Sequence, residues 1–292
     1  MRTTSVSQKI LALNCSLPGQ EWFDRVGDLT ALRGSEADGF YRSNYDRGPL
    51  LYSLIAAHRP TTVLEFGTGR GYGTACMARA MVDHEIDGQI FTVDVLAFSD
   101  PQTWPIDRGS GPAVETLSAA DVWGRYFETA WLDRITRLTG DSGTVVDGWG
   151  QSDLPKPNFA FIDAGHRYEE VRHDFYAFLS VCSPRPVILF DDYSTRRDFG
   201  VKRLIDSEVT PVFDIELICT EWRTDDPTRN DGKELQGMAL IESLNAQNGG
   251  RSEPSSETVQ RQLVSSRRRL RLLQTKDRAK SFLRSAARAW RA

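Results

Sequence analysis

A glycine-rich turn that follows a short apolar segment constrains the fold of this chain more than any other feature. Residues 62–66 form an apolar, strand-like run, and glycines occupy positions 67, 69 and 71 directly after it. Glycine lets the backbone adopt positive φ and removes the Cβ atoms that would keep a nucleotide-like ligand at a distance. A helix predicted at 72–82 would then direct its free N–H groups and the positive end of its dipole at that ligand. The sequence therefore predicts a strand, a ligand-binding turn and a helix in succession.

The spacing of these glycines excludes the dinucleotide fingerprint G-x-G-x-x-G. Counted from each glycine in turn, the sixth residue is Tyr72, Thr74 or Cys76, so no frame supplies the third glycine. The spacing that begins at Glu65 is E-x-G-x-G-x-G, which resembles the first motif of class I S-adenosylmethionine (SAM)-dependent methyltransferases. A purely structural turn between strand and helix is the alternative interpretation.

An acidic residue ends the next strand-like segment. Residues 89–95 are rich in apolar and β-branched side chains, and Asp94 lies near their carboxyl end. In a doubly wound sheet, a carboxylate at that place, roughly twenty residues past the glycines, can accept hydrogen bonds from both ribose hydroxyls of an adenosine. The alternative is a solvated aspartate at a strand end.

Composition fits one α/β domain with two flanking segments. The 292 residues are 40% hydrophobic, enough for a full core, and about 200 of them would make one such domain. No apolar run approaches the roughly 20 residues that cross a bilayer, and the N-terminal apolar piece is too short for a signal peptide, so we expect a cytoplasmic protein. The four cysteines form no C-x-x-C pair, which argues against a disulfide framework and a zinc site.

Charge is distributed unevenly along the chain. Residues 251–292 carry 12 Lys and Arg against 3 Asp and Glu, a net charge of +9, and the first 250 residues carry 24 against 37, a net charge of −13. Because residues 1–250 are this acidic, they are poorly suited to binding nucleic acid, and we expect no nucleic-acid partner.

Strand-like and helical segments alternate, which predicts an α/β fold: a Rossmann-like, doubly wound, mostly parallel seven-stranded sheet with a C-terminal antiparallel hairpin. Residues 96–112 are predicted to be a long loop whose Trp104 could stack on a substrate, and residues 221–234 a polar loop within the hairpin. The predicted strands are 62–66, 89–95, 135–138, 158–163, 186–191, 212–219 and 235–241, and the predicted helices include 49–58, 72–82, 168–181 and 199–207.

Three domains or segments are predicted: an N-terminal cover or lid at 1–44, the catalytic domain at 45–245, and a linker with a basic tail at 246–292. The tail has an interrupted apolar stripe at helical spacing, which leaves three interpretations open. It could be a disordered appendage, a helix that docks on the acidic body or on a second subunit, or an amphipathic helix on an anionic membrane surface. Truncation after Gly250 is expected to leave SAM binding and chemistry intact while altering the oligomeric state or surface association.

Three carboxylates follow two further predicted strands. Asp163 ends the strand at 158–163, and Asp191 and Asp192 end the strand at 186–191. Because the carboxyl ends of neighbouring strands converge on one crevice, these side chains should meet beside the ligand. Three crowded anions need a neutralising cation, and ligation by oxygen alone suits Mg²⁺.

The segments F-I-D-x-x-H-x-Y-E and V-I-L-F-D-D-Y resemble metal-dependent small-molecule O-methyltransferases, particularly the macrolide-sugar and cephamycin-pathway enzymes. Catechol and caffeoyl-CoA O-methyltransferases are more distant. The resemblance spans about residues 45–243 and implies that Asp163, Asp191 and Asp192 bind Mg²⁺ or a similar divalent cation. It places His166 where the distant relatives have a catalytic lysine. His166 could be the base, cap the following helix, or ligate the metal.

The resemblance also implies roles for the other motif residues. Glu65 and the backbone of Gly67, Gly69 and Gly71 would hold the methionine end of SAM and Asp94 its ribose. Asp141 and Ser142 would meet the adenine edge, an assignment that rests only on their position after the third strand.

The chain is therefore predicted to be a SAM- and Mg²⁺-dependent O-methyltransferase that acts on a hydroxyl of a sugar or natural product, in natural-product or polysaccharide biosynthesis, with His166 and Asp163 as catalytic residues. Two alternatives stay open: a non-catalytic SAM- or sugar-binding protein, and an N- or C-methyltransferase. The partner expected is a small-molecule substrate, with a homo-oligomer and membrane contact through the tail left open.

Overall fold

A twisted sheet of eight strands forms the centre of the computed structural model, which describes residues 1–196, 199–220, 236–242 and 254–289, with side chains to 277. Its strands are β1 (Arg2–Ser5), β4 (Thr62–Phe66), β5 (Gln89–Asp94), β8 (Ile135–Thr139), β9 (Phe159–Ile162), β10 (Val187–Ser194), β11 (Glu216–Cys219) and β12 (Gln236–Ile241). They lie in the order β1-β11-β12-β10-β9-β4-β5-β8. All of them run parallel except β12, which is antiparallel to both of its neighbours.

Helices cover both faces of this sheet, which explains why its central strands are apolar without interruption. Within β4, Val63 packs on one face and Leu64 and Phe66 on the other, and all three are fully buried. The first face carries α1 (Val6–Leu13), α2 (Gln20–Thr30), α3 (Arg47–His58), α4 (Tyr72–Asp83), α5 (Ala119–Tyr126) and α6 (Thr129–Leu132). The second carries α7 (Ser142–Trp149), α8 (Tyr168–Val181), α9 (Val201–Leu204) with its π-helical continuation Ile205–Val209, and α10 (Ser256–Ala289).

The predicted doubly wound fold is confirmed, and all seven predicted strands lie in the sheet. The structure adds an eighth: β1, near residue 1, pairs in parallel with β11. The rest of the predicted N-terminal cover includes α1, α2 and a hairpin of β2 (Leu32–Ser35) and β3 (Gly39–Arg42). Because β1 is four residues long and polar, it carries no periodicity by which a strand could be predicted.

The predicted long loop at 96–112 is wrong, because much of it is β-structure. β6 (Gln102–Asp107) pairs antiparallel with β7 (Pro112–Leu117) in a separate hairpin. Trp104 is fully buried, and its indole N–H donates to the carbonyl of Leu29 at 2.8 Å, so it belongs to the core and not to a substrate-stacking wall. The strand was not predicted because Pro105 lies within it. Proline lowers strand propensity, although it is tolerated in strands at the edge of a sheet.

Two sequence predictions lie outside the described residues: the whole of the polar loop at 221–234, and residues 246–253 of the predicted linker and tail. Beyond the linker, the basic tail forms α10, 34 residues long, which packs along α8. Within the described ranges, no helix has both the length and the apolar character needed to span a membrane. The cytoplasmic location stays a prediction.

Candidate functional site

Two adjoining cavities open at the carboxyl ends of the central strands. The first, here called the β5-side cavity, has a volume of about 450 Å³ and lies above β4, β5, β8 and β9. The second, the hairpin-side cavity, has a volume of about 410 Å³ and lies between the glycine turn, the N-terminal hairpin and β6. Both are lined by Gly67, Gly69, Asp163 and Ala164, so a ligand that bridges the two would pass over the glycine turn.

The glycine turn is shaped by packing as well as by space for a ligand. Gly67, Gly69 and Gly71 all have positive φ. A Cβ on Gly67 would lie 2.3 Å from the carbonyl oxygen of Asp163, and one on Gly71 would lie 2.2 Å from the ring of Trp123. A Cβ on Gly69 would meet nothing within 4 Å. Two of the glycines therefore permit close chain contacts, and Gly69 faces the open space in which a ligand would lie.

Asp94 stands at the end of β5, on the wall of the β5-side cavity, and its role as a ribose acceptor stays a prediction. Its Oδ2 accepts the N–H of Gly69 at 2.9 Å and its Oδ1 accepts the N–H of Leu96 at 3.0 Å. These bonds fix the carboxylate, and each oxygen keeps a further lone pair for a hydroxyl donor. The geometry is that of a positioned acceptor aimed at the cavity.

Glu65 does not line either cavity. Its carboxyl is 1% exposed and accepts the hydroxyl of Thr74 on α4, behind the turn. Burial raises its pKa to about 7. A direct contact between Glu65 and the methionine end of a cofactor is therefore not part of this geometry.

The predicted adenine edge, Asp141 and Ser142, lies at the start of α7, and the carboxyl of Asp174 lies beside it. Asp141 caps this helix, accepting the N–H of Thr144 at 3.1 Å. The Ser142 hydroxyl donates to Asp174 of α8, which also lines the cavity. Burial raises the pKa of Asp174 to about 7. Sequence reasoning missed Asp174 because it lies mid-helix, where an acidic residue normally faces solvent.

An arginine occupies the centre of the predicted metal site. Arg47, at the start of α3, places Nη1 at 2.8 Å from Oδ2 of Asp163 and 2.9 Å from Oδ2 of Asp191. The other oxygen of Asp191 accepts the N–H of Asp192 at 2.8 Å. The guanidinium therefore supplies, for two of the three carboxylates, the positive charge that the sequence had led us to assign to Mg²⁺. Arg47 was missed because nothing in its own segment marks it as part of a site.

The third carboxylate turns away from this arginine. Asp192 has a φ of 57° at an irregularity in the pairing of β10 with β12, and its Oδ2 lies 2.9 Å from Nδ1 of His166. The ring of His166 stacks on Phe199 with centroids 5.0 Å apart. The hydrogen bond to Asp192 raises the pKa of His166 to about 9, so the imidazole is cationic at neutral pH. His166, which was expected to be a neutral base, therefore forms an ion pair with Asp192 in the structure.

The donor set fits a divalent cation, although not through the three predicted aspartates. Asp163, His166 and Asp192 each offer one ligand atom, and these atoms lie within 4.8 Å of one another. Two carboxylates with an imidazole suit Mn²⁺ or another transition metal at least as well as Mg²⁺, which prefers oxygen. Asp191 is not part of this set, and both of its oxygens are engaged, Oδ2 by Arg47 and Oδ1 by the N–H of Asp192.

The hairpin-side cavity is positively charged. Besides Arg47 it is lined by Arg33 and Arg70, and Arg70 donates to the carbonyls of Pro105, at 3.0 Å, and Leu32. Burial and the neighbouring Arg33 lower the pKa of Arg70 to about 9. Within the part of the chain that the structure describes, no carboxylate lies in ion-pair contact with Arg70.

Comparisons with known proteins identify related sequences and related folds. Residues 64–193 match the family model of a methyltransferase domain. A stretch of 157 residues is 27% identical to the uncharacterized protein y4gI of Sinorhizobium fredii, covering 53% of this chain but 16% of that protein. The chain thus spans about a sixth of the length of this curated relative.

Two solved structures share the fold. The O-methyltransferase from Bacillus cereus in complex with S-adenosylhomocysteine (SAH) superposes with a TM-score of 0.51 at 18% identity, covering 81% of this chain and 97% of that one. The O-methyltransferase TomG from Streptomyces achromogenes, involved in tomaymycin synthesis and solved with SAM, gives 0.51 at 16%, covering 81% and 96%. The predicted methyltransferase class agrees with both comparisons: residues 64–193 match a methyltransferase domain, and the chain shares the fold of these two O-methyltransferases. The predicted domain boundaries stay predictions.

Proposed function

We propose that this domain transfers the methyl group of SAM to a hydroxyl of a small molecule, a sugar or another natural product. The observation that carries the proposal is the cluster of Asp163, His166 and Asp192. Asp163 lines both cavities, and His166 lines the hairpin-side cavity. A nucleoside in the β5-side cavity and a substrate in the hairpin-side cavity would bring the methyl group and the hydroxyl together beside this cluster.

The cofactor would be held mainly by groups already in position. Asp94 would accept the ribose hydroxyls, the Gly69 turn would lie under the ligand, and Asp141 and Ser142 would border the adenine. The positive end of α4 and the arginines of the hairpin-side cavity would face the methionine carboxylate.

The substrate hydroxyl must lose a proton before it can attack the sulfonium methyl. We assign this role to His166: Asp192 fixes its Nδ1, which leaves Nε2 for the hydroxyl, the arrangement in which a carboxylate orients a base. Because its pKa is about 9, activity that depends on neutral His166 should rise with pH toward that value. His166→Gln should then lower kcat by roughly 10² to 10⁴ while SAH affinity is kept.

The same atoms support a second assignment, in which Asp163, His166 and Asp192 hold Mg²⁺ or a similar divalent cation. A bound cation would supply Lewis-acid polarisation of the substrate hydroxyl. Activity that survives excess chelator and disappears in His166→Gln would favour the base, whereas activity lost in chelator and restored by Mg²⁺ or Mn²⁺ would favour the metal.

Incubation with SAM and a library of glycosides and phenols, followed by product mass, tests the function itself. An O-methylated product would support the proposal. SAH or SAM binding without any product would favour a non-catalytic protein, and methyl groups on nitrogen or carbon would favour the N- or C-methyltransferase alternative. A vicinal diol is the substrate we expect, since it offers two adjacent oxygens to the cluster.

A further inference from the structure

The C-terminal helix α10 forms part of the wall of the β5-side cavity. Leu270 and Gln274, one helical turn apart, line the cavity together with Asp141, Ser142 and Asp174. These two residues belong to the basic tail, which the sequence pattern had separated from the catalytic domain. Their position requires that α10 be fixed on the domain.

Buried contacts fix it there. Val259, Leu263 and Ser266 lie on one face of α10, spaced four and three residues apart, and are 5%, 3% and 0% exposed. Leu263 joins the core beneath α8. The guanidinium of Arg172, itself buried on α8, donates to the side chain of Gln262 at 2.5 Å. A helix with this burial is part of the domain's packing and not an appendage.

A buried histidine ties α10 to the adenine end of the cavity in particular. Nδ1 of His173 lies 3.2 Å from the Ser266 hydroxyl, which itself donates to the carbonyl of Leu263, so the imidazole must donate this hydrogen bond. On its other side, the imidazole packs directly against Gly143, so closely that a Cβ added to this glycine would lie 2.5 Å from Nε2 of His173. Gly143 follows Ser142 in the first turn of α7, and Arg267 of α10 pairs with Asp147 farther along α7. The position of α10 is thereby coupled to the residues that border the cavity.

We propose that α10 completes the adenine site of the cofactor, with Leu270 packing on the ring and the Gln274 carboxamide pairing with its edge. This inference rests on the proposed SAM-binding role of the β5-side cavity. Adenine presents a donor beside an acceptor along its edge, and a carboxamide carries the complementary pair. The α7 and α8 walls offer the carboxyls of Asp141 and Asp174, which would accept from the exocyclic amine. The basic tail is thus a specificity element for the nucleoside.

Matched substitutions on the same helix test the proposal. The test variants are Leu270→Ala and Gln274→Ala, which remove side chains that line the cavity. Their matched controls are Leu272→Ala and Gln260→Ala. Leu272 is 63% exposed, and Gln260 lies on the outer face of the helix. Calorimetry of the full chain with SAH should show affinity about three- to tenfold weaker for each cavity-facing variant, the usual effect of one lost hydrogen bond or apolar contact. The controls should stay within about twofold of wild type.

Binding of 5′-methylthioadenosine, which lacks the amino-acid part of the cofactor, shows whether the loss of affinity arises at the nucleoside. If α10 contacts the nucleoside, the same fold-loss should appear with this ligand. Circular dichroism and melting of the unliganded variants should match wild type, which separates a binding contact from loss of the helix.

Two outcomes would overturn the inference. If wild type and both controls bind SAH and the cavity-facing variants bind equally well, α10 is not part of the site, although the proposed function would stand. If wild type binds neither SAH nor 5′-methylthioadenosine, the cofactor assignment of the cavity fails and the role of α10 fails with it.

Discussion

Replacing Arg47 with methionine should destabilise the protein strongly, because the buried carboxylate of Asp191 and the partly buried carboxylate of Asp163 would lose their common cation. Asp163 and Asp191 share one guanidinium nitrogen at 2.8 and 2.9 Å, and Asp191 is 3% exposed. Methionine keeps most of the aliphatic volume of arginine, so the change removes charge and hydrogen bonds more than packing.

The expected loss in the free energy of unfolding follows from the burial of this ion pair. Removing one partner of a buried ion pair costs about 3–5 kcal/mol, because an uncompensated charge is left behind. For a domain of this size, 1 kcal/mol corresponds to roughly 2–4 °C in Tm, so the melting temperature should fall by about 10 °C. Protonation can relieve the cost. Burial holds the pKa of Asp163 and of Asp191 above their usual range even in the wild type, so the loss should be smaller at pH 5 than at pH 8.

Urea unfolding at pH 8, followed by tryptophan fluorescence and circular dichroism, measures the effect. Arg42→Met is the matched control, since Arg42 also bridges two aspartates, Asp24 and Asp28, but nearer the surface, where such a pair contributes about 1 kcal/mol or less. Millimolar Mg²⁺ or Mn²⁺ should restore part of the stability of Arg47→Met, because a divalent cation can neutralise the same carboxylates.

A loss for Arg47→Met no larger than that for Arg42→Met would refute this reasoning. It would mean that Asp163 and Asp191 are neutral or hydrated in solution and need no cation between them. Destabilisation with no response to either metal would keep the ion pair but remove the argument that these carboxylates can bind a divalent ion.

Three further predictions concern other parts of the site. Asp94→Ala should weaken SAH binding by about 1.5–3 kcal/mol in calorimetry, the value of hydrogen bonds to a charged group, and unchanged affinity would exclude the ribose role. Gly69→Ala should lower the free energy of unfolding by about 1 kcal/mol, because alanine is strained at positive φ. Gly71→Ala should lower it by more than about 2 kcal/mol, because a Cβ at position 71 would also clash with Trp123. Equal losses for the two variants would contradict the packing argument. Because burial raises the pKa of Asp174 to about 7, wild type should lose stability relative to Asp174→Asn as pH rises from 5 to 8, by about 1–3 kcal/mol. A pH-independent difference in urea unfolding would show that Asp174 is not buried as a neutral acid.

Local sequence patterns were enough to predict the sheet and the approximate position of the site. Apolar segments that end in glycines or carboxylates predicted β4, β5, β9 and β10, because a buried parallel strand and the polar residue at its end are both local properties of the chain. For the same reason the sequence assigned Asp94 and Asp141 to the cofactor and placed Asp163 beside it, and all three line the β5-side cavity. Residues directly after a strand can only lie at that strand's end.

Which side chains meet one another depends on the packing of segments that are far apart in the chain. Arg47 reaches Asp163 and Asp191 across 116 and 144 residues of sequence, and a single arginine near the start of a helix gives no local sign of such a partner. The same holds for α10, whose inward face is set by what α7 and α8 present to it, and whose interrupted apolar stripe was compatible with three different environments. Glu65 shows the converse: it lies at the end of the predicted strand, but packing against α4 directs its carboxyl behind the turn. Periodicity specifies the elements because it lies within each segment, whereas charge pairing and cavity walls arise between segments, where only the packed chain specifies the neighbours.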